Sequence, residues 1–174
     1  MATSTFGVPI SSRRSVFVSY HHGGDQRYYD DLTSSMHDRL RLITDKSLER
    51  RIDSADSAYV MRRIRDLHLH GSSCTLVLCG AETWRRKWVD WEIHASLTQK
   101  MGLVGIWLPN LPLIDGGTSK PARLQDNVDS QFAQWVSWSD IAANPVALTA
   151  AIERANSASR LAIRNERARM ARNL

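Results

Sequence analysis

The sequence predicts an α/β fold: a flavodoxin-like, doubly wound sheet of about five mainly parallel strands with helices on both faces. Two observations lead to this prediction. The hydrophobic pattern switches repeatedly between short apolar runs and the spacing of amphipathic helices. The clearest run, Cys74–Cys79, is largely apolar on both faces of a strand, which is typical of the centre of a parallel sheet.

The first strand and the first helix follow from local signals. Residues 14–20 predict a buried strand, which the sequence His-His-Gly-Gly then ends. Asp25 is expected to cap the next helix, because aspartate is a preferred residue at a helix N-terminus. Apolar residues recur every four positions as far as Leu40, so the helix is expected to reach about that residue.

The middle of the chain continues the alternation of strands and helices. Residues 42–43 predict a short second strand. Residues 57–70 predict an amphipathic helix, with Gly71 as its stop. After the strand Cys74–Cys79, residues 83–100 predict a tryptophan-rich helix.

The last third of the chain contains two more predicted strands. Residues 103–108 predict the fourth strand, and residues 132–138 predict a fifth at the sheet edge. Residues 109–130 are expected to be mostly loop, because prolines and paired glycines are frequent there. The Asn-Pro pair at 144–145 predicts the start of a final helix that continues towards Ile163.

Length and composition fit one globular domain. The chain has 174 residues, of which 43% are hydrophobic and 24% are charged. No apolar run approaches the roughly 20 residues that span a bilayer, and the first residues lack the features of a signal peptide. Cys74 and Cys79 are expected on opposite faces of one strand, too far apart to form a disulfide. These features lead us to expect a cytoplasmic protein with reduced thiols and no membrane contact.

Most of the positive charge lies at the C-terminal end. The net charge is +5, and from Arg160 onwards there are five arginines against one acid, Glu166. Such an end is more typical of a solvated face than of a nucleic-acid contact. A nucleic-acid partner is therefore the least favoured interpretation of the charge.

Residues 83–93 contain three tryptophans and one distinctive carboxylate. On a continuous helix, one stripe is formed by Trp84, Trp88, Trp91 and Ala95. Glu92 would lie at the edge of that stripe, one turn after Trp88, and Asp90 would point away from it. A carboxylate held against indole rings indicates a site for a cationic or sugar-like ligand.

The predicted topology brings several loops to one edge of the sheet. In a doubly wound sheet, ligands bind beyond the carboxyl ends of the strands, at the point where the strand order reverses. Residues 19–24, the loop that contains Asp45, and residues 80–88 all follow predicted strands. We therefore expect these three segments to surround one mouth.

Three local motifs resemble the TIR-like proteins of bacterial anti-phage defence, in particular those of Thoeris systems. They are Val-Phe-Val-Ser-Tyr-His at 16–21, Thr-Asp-Lys-Ser-Leu at 44–48, and the segment at 75–93. The third motif is the most specific, because it joins a Val-Leu-x-Gly-x-x-Thr pattern to Arg-Lys-Trp-Val-x-Trp-Glu-Ile. The resemblance covers roughly residues 14–110. It implies a flexible N-terminus (1–13), a TIR-like domain (14–158) and a basic C-terminal helix end or tail (159–174).

The resemblance implies an enzyme that cleaves NAD at the nicotinamide–ribose bond and makes an ADP-ribose-derived nucleotide that activates a separate effector. This product is either a cyclic ADP-ribose isomer or another ADP-ribose conjugate. Glu92 aligns with the family's catalytic glutamate. The residues expected to contact the substrate are Ser19, Tyr20, His21, Asp45, Ser47, Thr83 and Trp88. NAD is the substrate, and no metal or resident cofactor is expected. Self-association and a phage-derived trigger are expected by the same resemblance.

The chemistry of nicotinamide release explains why these residue types would be used. Breaking the bond develops positive charge on the ribose. A carboxylate such as Glu92 can stabilise this charge, bind the ribose hydroxyls, or form a transient bond to C1. Trp88 can form a wall that excludes water and so favours internal transfer over hydrolysis. Arg86 and Lys87 are candidates for the diphosphate, although no P-loop or dinucleotide-binding glycine pattern is present.

Other functions remain open at this stage. A non-catalytic TIR adaptor would use the same fold without turnover, and a nucleoside-processing transferase would also place a glutamate at a ribose. The transferase can be distinguished from the NAD-cleaving enzyme by its substrate, because a transferase of this kind would accept free nucleosides rather than NAD. His68 and His70 are interpreted as a helix-end pair and not as metal ligands, because no cluster with zinc spacing accompanies them.

Overall fold

The sheet is parallel throughout, as expected for a doubly wound fold. A computed structural model of the protein describes residues 13–44, 56–114 and 117–174. The strands are β1 (Arg14–Ser19), β2 (Leu40–Ile43), β3 (Cys74–Cys79), β4 (Gly102–Trp107), β5 (Leu113–Ile114), β6 (Gly117–Thr118) and β7 (Gln134–Ser137). The five-stranded sheet has the order β2-β1-β3-β4-β7, while β5 and β6 form a separate antiparallel pair. The predicted edge position of the last strand is confirmed.

Helices cover both faces of this sheet. They are α1 (His22–Met36), α2 (Ser57–Arg63), α3 (Lys87–Thr98), α4 (Ala122–Asp129), α5 (Trp138–Ala143) and α6 (Val146–Ser157). One face packs against α1, α5 and α6, and the other packs against α2, α3 and α4. The predicted fold class is therefore confirmed. Within the described residues, no helix has both the length and the apolar composition needed to cross a bilayer.

The two cysteines lie in different parts of the core. Cys74 faces the side covered by α1 and α6, whereas Cys79 faces the side covered by α3 and α4. Both thiols are free and fully buried. Burial raises the pKa of the Cys74 thiol to about 12 and also raises the pKa of Cys79. Both residues therefore act as protonated, unreactive core thiols, as the sequence predicted.

Helix α1 begins earlier than predicted, because His21 and not Asp25 is at the N-cap position. The glycines expected to break the chain form its first turn, in which the backbone N–H of Asp25 donates to the carbonyl of His21 at 2.8 Å. Asp25 is therefore a buried residue of the first turn and not the cap. The other end is also corrected, because the helix ends at Met36 and Leu40 begins β2. Leu40 pairs with Arg14 of β1, and this strand contact overrides the local helical spacing.

The predicted helix at 57–70 is present with a change of geometry. Asp56 caps α2 by accepting hydrogen bonds from two backbone N–H groups, each at 3.0 Å. The chain then continues as a wider π-helical turn, Ile64–Leu69. Gly71 has a φ of 78°, a left-handed conformation that glycine adopts without strain, so its predicted role as the stop is confirmed.

The tryptophan-rich segment is not one helix. Thr83–Arg85 forms a short 3₁₀ turn, and the backbone of Arg86 is extended, with φ −92° and ψ 118°, before α3 begins. Trp84 therefore does not share a helical stripe with Trp88 and Trp91, and that part of the prediction is wrong. A contact distant in sequence stabilises this break, since the backbone N–H of Lys87 donates to the side-chain oxygen of Asn173 at 2.8 Å.

Two short helices were missed because turn signals dominate their local sequences. Helix α4 lies in the segment predicted to be loop and begins directly after Pro121, a residue compatible with a helix start. Helix α5 begins at Trp138, which was assigned to the preceding strand. Ser137 ends that strand and caps α5, since its hydroxyl accepts from the N–H of Asp140 at 3.1 Å.

The final helix starts as predicted but ends early. The side-chain oxygen of Asn144 accepts from the N–H of Val146 at 3.1 Å, as a helix cap does. Helix α6 ends at Ser157 and does not continue towards Ile163. Apart from a 3₁₀ turn at Arg160–Ala162, residues 158–174, here called the C-terminal segment, form no regular element.

A buried ion pair fastens the C-terminal segment to α3 and α4. Arg123 of α4 is fully buried, and its Nε donates to Oδ1 of Asp90, on α3, at 2.9 Å. The remaining nitrogens of the guanidinium donate to the side-chain oxygen of Asn165 at 2.9 Å and to the carbonyl of Ala168 at 3.2 Å. Asp90 also accepts from the backbone N–H of Met170 at 2.8 Å. Asp90 was predicted to point away from the functional stripe, and it is this buried network that it faces.

Further contacts extend along the outer side of α3. The indole N–H of Trp91 donates to the carbonyl of Met170 at 2.8 Å. The last residue, Leu174, donates its backbone N–H to the carbonyl of Arg85 at 3.1 Å. The C-terminal segment is thus part of the packed structure and braces the helix that carries Glu92.

His94 is the titratable group at this contact. Its Nδ1 lies 3.1 Å from Oδ1 of Asn165, an oxygen that already accepts from Arg123. The imidazole therefore donates its Nδ1–H to that oxygen. Partial burial, followed by the positive charge of Arg123, lowers the pKa of His94 from its ordinary value of 6.5.

Replacing Arg123 by methionine should strongly destabilise the protein. The change removes the positive charge that neutralises the buried Asp90 carboxylate, together with the hydrogen bonds to Asn165 and Ala168. Breaking a buried ion pair on one side typically costs about 3–5 kcal/mol. Urea unfolding measures the loss of unfolding free energy. The matched control is Arg154→Gln, an exposed residue of α6, which should stay within about 0.5 kcal/mol of the wild type. An Arg123→Met variant as stable as that control would show that the network contributes little.

Stability should fall as the pH drops below about 6.5, in part because of His94. The unfolded chain takes up a proton near its ordinary pKa of 6.5, whereas folded His94 does so only at lower pH. As the pH falls, the unfolded state therefore binds the proton first, and the free energy of unfolding decreases. This decrease ends once the pH is below the pKa of His94 in the folded state. NMR titration of the ring proton should place the pKa of His94 below 6.5. Unfolding free energies between about pH 7.5 and 5.5 should depend less on pH in His94→Gln. Titration of His94 at or above 6.5 would contradict this account.

Candidate active site

The strand order places a crevice between β1 and β3. The chain moves from β1 outwards to β2 and then returns to β3 on the other side of β1, so the carboxyl ends of β1 and β3 flank the reversal point. Ser19 is the last residue of β1 and pairs in register with Val77 of β3. Gly80 directly follows β3. Ligands in sheets of this kind bind at such a crevice.

Ser19 and Glu92 meet at this point. The hydroxyl of Ser19 donates a hydrogen bond to Oε2 of Glu92, which projects from α3 towards β1. Ser19 is only 1% exposed and Glu92 only 4% exposed. A buried carboxylate needs hydrogen-bond donors, and Ser19 supplies one across 73 residues of sequence. Two of the residues selected from the sequence are thus in direct contact.

Trp88 lies one helical turn before Glu92 on α3. Its side chain is half-buried and packs against the apolar cluster between the sheet, α3 and α4. The buried indole N–H has no hydrogen-bond partner among the described residues. Spacing of four residues puts Trp88 and Glu92 on the same face of the helix. The indole is therefore available as a wall beside the carboxylate.

Tyr20 and His21 occupy different environments after β1. Tyr20 is 1% exposed, stacks against His22 with ring centroids 4.2 Å apart, and donates its hydroxyl to Gln26 at 3.0 Å. His21 is half-exposed, and its ring lies against the glycines of the first turn of α1, where a Cβ on Gly24 would approach it to 2.9 Å. Tyr20 packs beneath the crevice, whereas His21 lies at the surface beside it.

Thr83 belongs to a buried polar cluster at the same edge. Its hydroxyl lies 3.1 Å from Oδ2 of Asp25 and accepts from the backbone N–H of Gly80 at 2.9 Å. The other carboxylate oxygen of Asp25 accepts from the side-chain amide of Asn110 at 2.9 Å. Asp25, Thr83 and Asn110 therefore join the first turn of α1 to the segments that follow β3 and β4. The cluster fixes the geometry of the crevice.

Asp25 and Asn110 were not selected from the sequence. Asp25 was interpreted as a helix cap, and Asn110 fell in a segment expected to be loop. A signal for Asp25 was present, because an acid in the first turn of a helix after β1 lies at the carboxyl edge of a doubly wound sheet. No local pattern marks Asn110, whose partner is 85 residues away.

Four other predicted residues are placed less directly. Asp45 and Ser47 lie outside the described residues. The guanidinium of Arg86 lies 3.4 Å from the carboxylate of Glu82, and Lys87 lies 4.8 Å from the centre of the Trp91 ring. Both cations follow the Thr83–Arg85 turn in sequence, and each contacts another side chain of the protein: Glu82 for Arg86, and Trp91 for Lys87.

A pocket of about 340 Å³ opens at the carboxyl ends of β4 and β7. Its walls include the aromatic rings of Trp107 and Trp138 and the ring of Pro109. Pro109 precedes Asn110, which contacts Asp25, so the pocket and the buried cluster share one loop. The pocket offers flat apolar surfaces to a planar ring. Within the described ranges, no three His, Cys, Asp or Glu side chains converge as metal ligands.

Comparison with known protein families agrees with the fold and the motifs. Residues 17–112, more than half of the chain, match the family described as Thoeris protein ThsB, TIR-like domain. The class of protein is therefore a TIR-like α/β domain. The chain belongs to the Thoeris ThsB TIR-like family. The resemblance proposed from the three motifs is confirmed over this range.

The other comparisons are distant or empty. Among solved structures, the chain is similar to the TIR domains in the structure of the activated Roq1 resistosome directly recognizing the pathogen effector XopQ. The sequence identity is 14%, the match covers 86% of this chain and 82% of that chain, and the TM-score is 0.41. A search of curated protein sequences finds no match.

Replacing Gly80 by alanine should destabilise the crevice. A Cβ at this position would lie 2.6 Å from Cγ of Asp25, so the buried carboxylate would have to move away from Thr83 and Asn110. Overpacking of this kind costs about 1–3 kcal/mol, measured by urea unfolding. In a double-mutant cycle, Asp25→Ala removes the clashing group, so the two losses should not add. Strict additivity would show that the Asp25 side chain is not what restricts residue 80.

Proposed function

We propose that this TIR-like protein cleaves NAD at the nicotinamide–ribose bond and converts the ADP-ribose part into a cyclic nucleotide signal. The single observation that carries the proposal is the buried hydrogen bond between Ser19 and Glu92 at the reversal point of the sheet. Both residues lie inside the segment that matches the Thoeris family. The carboxylate thus occupies the part of the fold where a ligand is expected.

The reaction requires stabilisation of a developing positive charge. When the C1–N bond of the ribose breaks, its electron pair leaves with nicotinamide, which becomes neutral, and the ribose acquires oxocarbenium character. A carboxylate in a site shielded from water stabilises this charge more strongly than one in bulk solvent. A nucleophilic atom of the ADP-ribose itself then attacks C1 and releases a proton to solvent, which closes the ring. Attack by water gives linear ADP-ribose instead.

The remaining residues have supporting parts in this proposal. Ser19 holds the carboxylate in one orientation, and Trp88 shields one side of it. Asp25, Thr83 and Asn110 keep the three loops together. The aromatic pocket at β4 and β7 is a candidate place for one of the planar rings of NAD. NAD is consumed as substrate, so no resident cofactor is required.

The wider proposal concerns the role of the product. The nucleotide activates a separate effector in the defended cell, the enzyme is switched on by a phage-derived trigger, and its active form is self-associated. These statements extend what the Thoeris family match supports. We further propose that the reaction takes place in the cytoplasm, where the two buried thiols remain reduced.

A non-catalytic interaction module is the second candidate, and one observation favours it. Glu92 is 4% exposed, so in this conformation its carboxylate presents almost no surface to a substrate. Turnover requires an opening that uncovers Glu92, whereas an adaptor requires none. The two candidates therefore differ in whether any condition gives product.

Glu92→Gln should abolish turnover without unfolding the protein. The amide oxygen can still accept the hydrogen bond of Ser19, whereas the negative charge is lost. We expect the rate to fall by at least about 10²–10³-fold, as for removal of a group that stabilises charge in a transition state. The matched control is Glu153→Gln, an exposed residue of α6, which should turn over at the wild-type rate.

The measurement uses purified protein with NAD, followed by chromatography and mass spectrometry. Lysates of phage-infected cells that express each variant are analysed in parallel, because the resting enzyme has a covered carboxylate. Free nucleosides are offered as alternative substrates. Equal turnover by Glu92→Gln would overturn the catalytic role. Folded protein that is silent with NAD in both settings would favour the interaction module.

A further inference from the structure

A groove lined by cations lies on the outer side of the domain. It has a volume of about 270 Å³ and runs between α2, α3 and the C-terminal segment. Arg62 and Arg65 enter it from α2 and its π-helical continuation, and Arg169 enters it from the C-terminal segment. His94 and Thr98 of α3 also line the groove. Two elements far apart in sequence therefore bring three guanidinium groups to one place.

The three guanidinium groups have no acidic side chain in direct contact within the described part of the chain. None of them forms a hydrogen bond or an ion pair there, and the described lining contains no aspartate or glutamate. Asp56, which precedes α2, accepts hydrogen bonds from the first turn of that helix. Like charges held close together repel each other, and a bound anion removes that repulsion.

Arg169 is held in a fixed position. Its guanidinium lies over the ring of Trp91, 4.8 Å from the centroid, and Lys87 lies at the same distance from that centroid. The next residue, Met170, is held by two hydrogen bonds. Its backbone N–H donates to Asp90, and its carbonyl accepts from the indole N–H of Trp91. A positioned guanidinium loses less conformational freedom on binding than a mobile one.

We propose that this groove binds a small phosphorylated molecule through Arg62, Arg65 and Arg169. Guanidinium groups match phosphate oxygens with paired hydrogen bonds, and several in one groove suit a diphosphate better than a single charge. The volume is slightly below the range of about 300–1,000 Å³ found for drug-sized ligands, so the groove fits a phosphate or diphosphate moiety and not a whole dinucleotide.

The groove is separate from the candidate active site. Glu92 points inwards to Ser19, whereas His94 of the same helix faces the groove and the C-terminal segment. A bound diphosphate links α2 to Arg169 of the C-terminal segment. Because Met170 follows Arg169, the diphosphate also stabilises the contact between this segment and α3. This site is independent of the proposed NAD cleavage, because none of its residues contacts Ser19 or Glu92 in the described contacts.

Inorganic pyrophosphate is the probe that tests the proposal. Binding to the full chain is measured by calorimetry, with sodium chloride at equal ionic strength as the control for simple screening. The wild type should bind in a saturable manner, and the amide of Met170 should exchange more slowly with solvent when pyrophosphate is present. Arg62→Gln combined with Arg65→Gln should weaken binding by at least roughly tenfold, as expected for loss of charge-assisted hydrogen bonds.

The controls keep the test decisive. Arg62 and Arg65 are exposed and unpaired with described residues, so their replacement should leave the fold and any NAD turnover unchanged. Arg154→Gln, an exposed arginine on the opposite face, should bind pyrophosphate as the wild type does. Absence of saturable binding, equal binding by the double variant, or binding of duplex DNA without binding of pyrophosphate would each overturn the proposal.

Discussion

The pairing of Asp90 with Arg123 is the interaction on which the rest of this structure depends. A fully buried arginine is costly unless every donor is satisfied, and Arg123 meets this condition only because α3 and the C-terminal segment both supply acceptors. The pair therefore enforces the association of α3, α4 and residues 158–174. Other contacts of the segment are the packing of Ile163 against the core and the hydrogen bonds of Asn127 to the backbone of Arg164.

This constraint bears directly on the candidate active site. Asp90 and Glu92 are two residues apart on α3, and they point to opposite sides of the helix: Asp90 to the brace and Glu92 to Ser19. The helix is thus fixed from outside by an ion pair and from inside by a buried hydrogen bond. Its orientation at the reversal point of the sheet follows from both contacts, and the loops on the other side are fixed by Asp25.

The family match and the geometry of the site support different parts of the proposed chemistry. The chain belongs to the Thoeris ThsB TIR-like family, and its fold brings a serine and a glutamate together where doubly wound sheets bind ligands. The same geometry covers the carboxylate almost completely. A resting state with a covered carboxylate is consistent with an enzyme that is active only when its loops open. The outer arginine groove provides a separate surface through which a phosphorylated molecule can act on the braced helix.

The sequence by itself determined the fold class, the central strand Cys74–Cys79, the edge strand, the opposite faces of the two cysteines and the stop at Gly71. These features depend on periodicity or on residues close in sequence. Tertiary structure alone decided that Leu40 joins β2, that the tryptophan segment breaks at Arg86, and that the basic end lies across α3. Each of these depends on a hydrogen-bond partner far away in sequence. Local spacing carries no record of such partners, because the chain meets them only after it has folded.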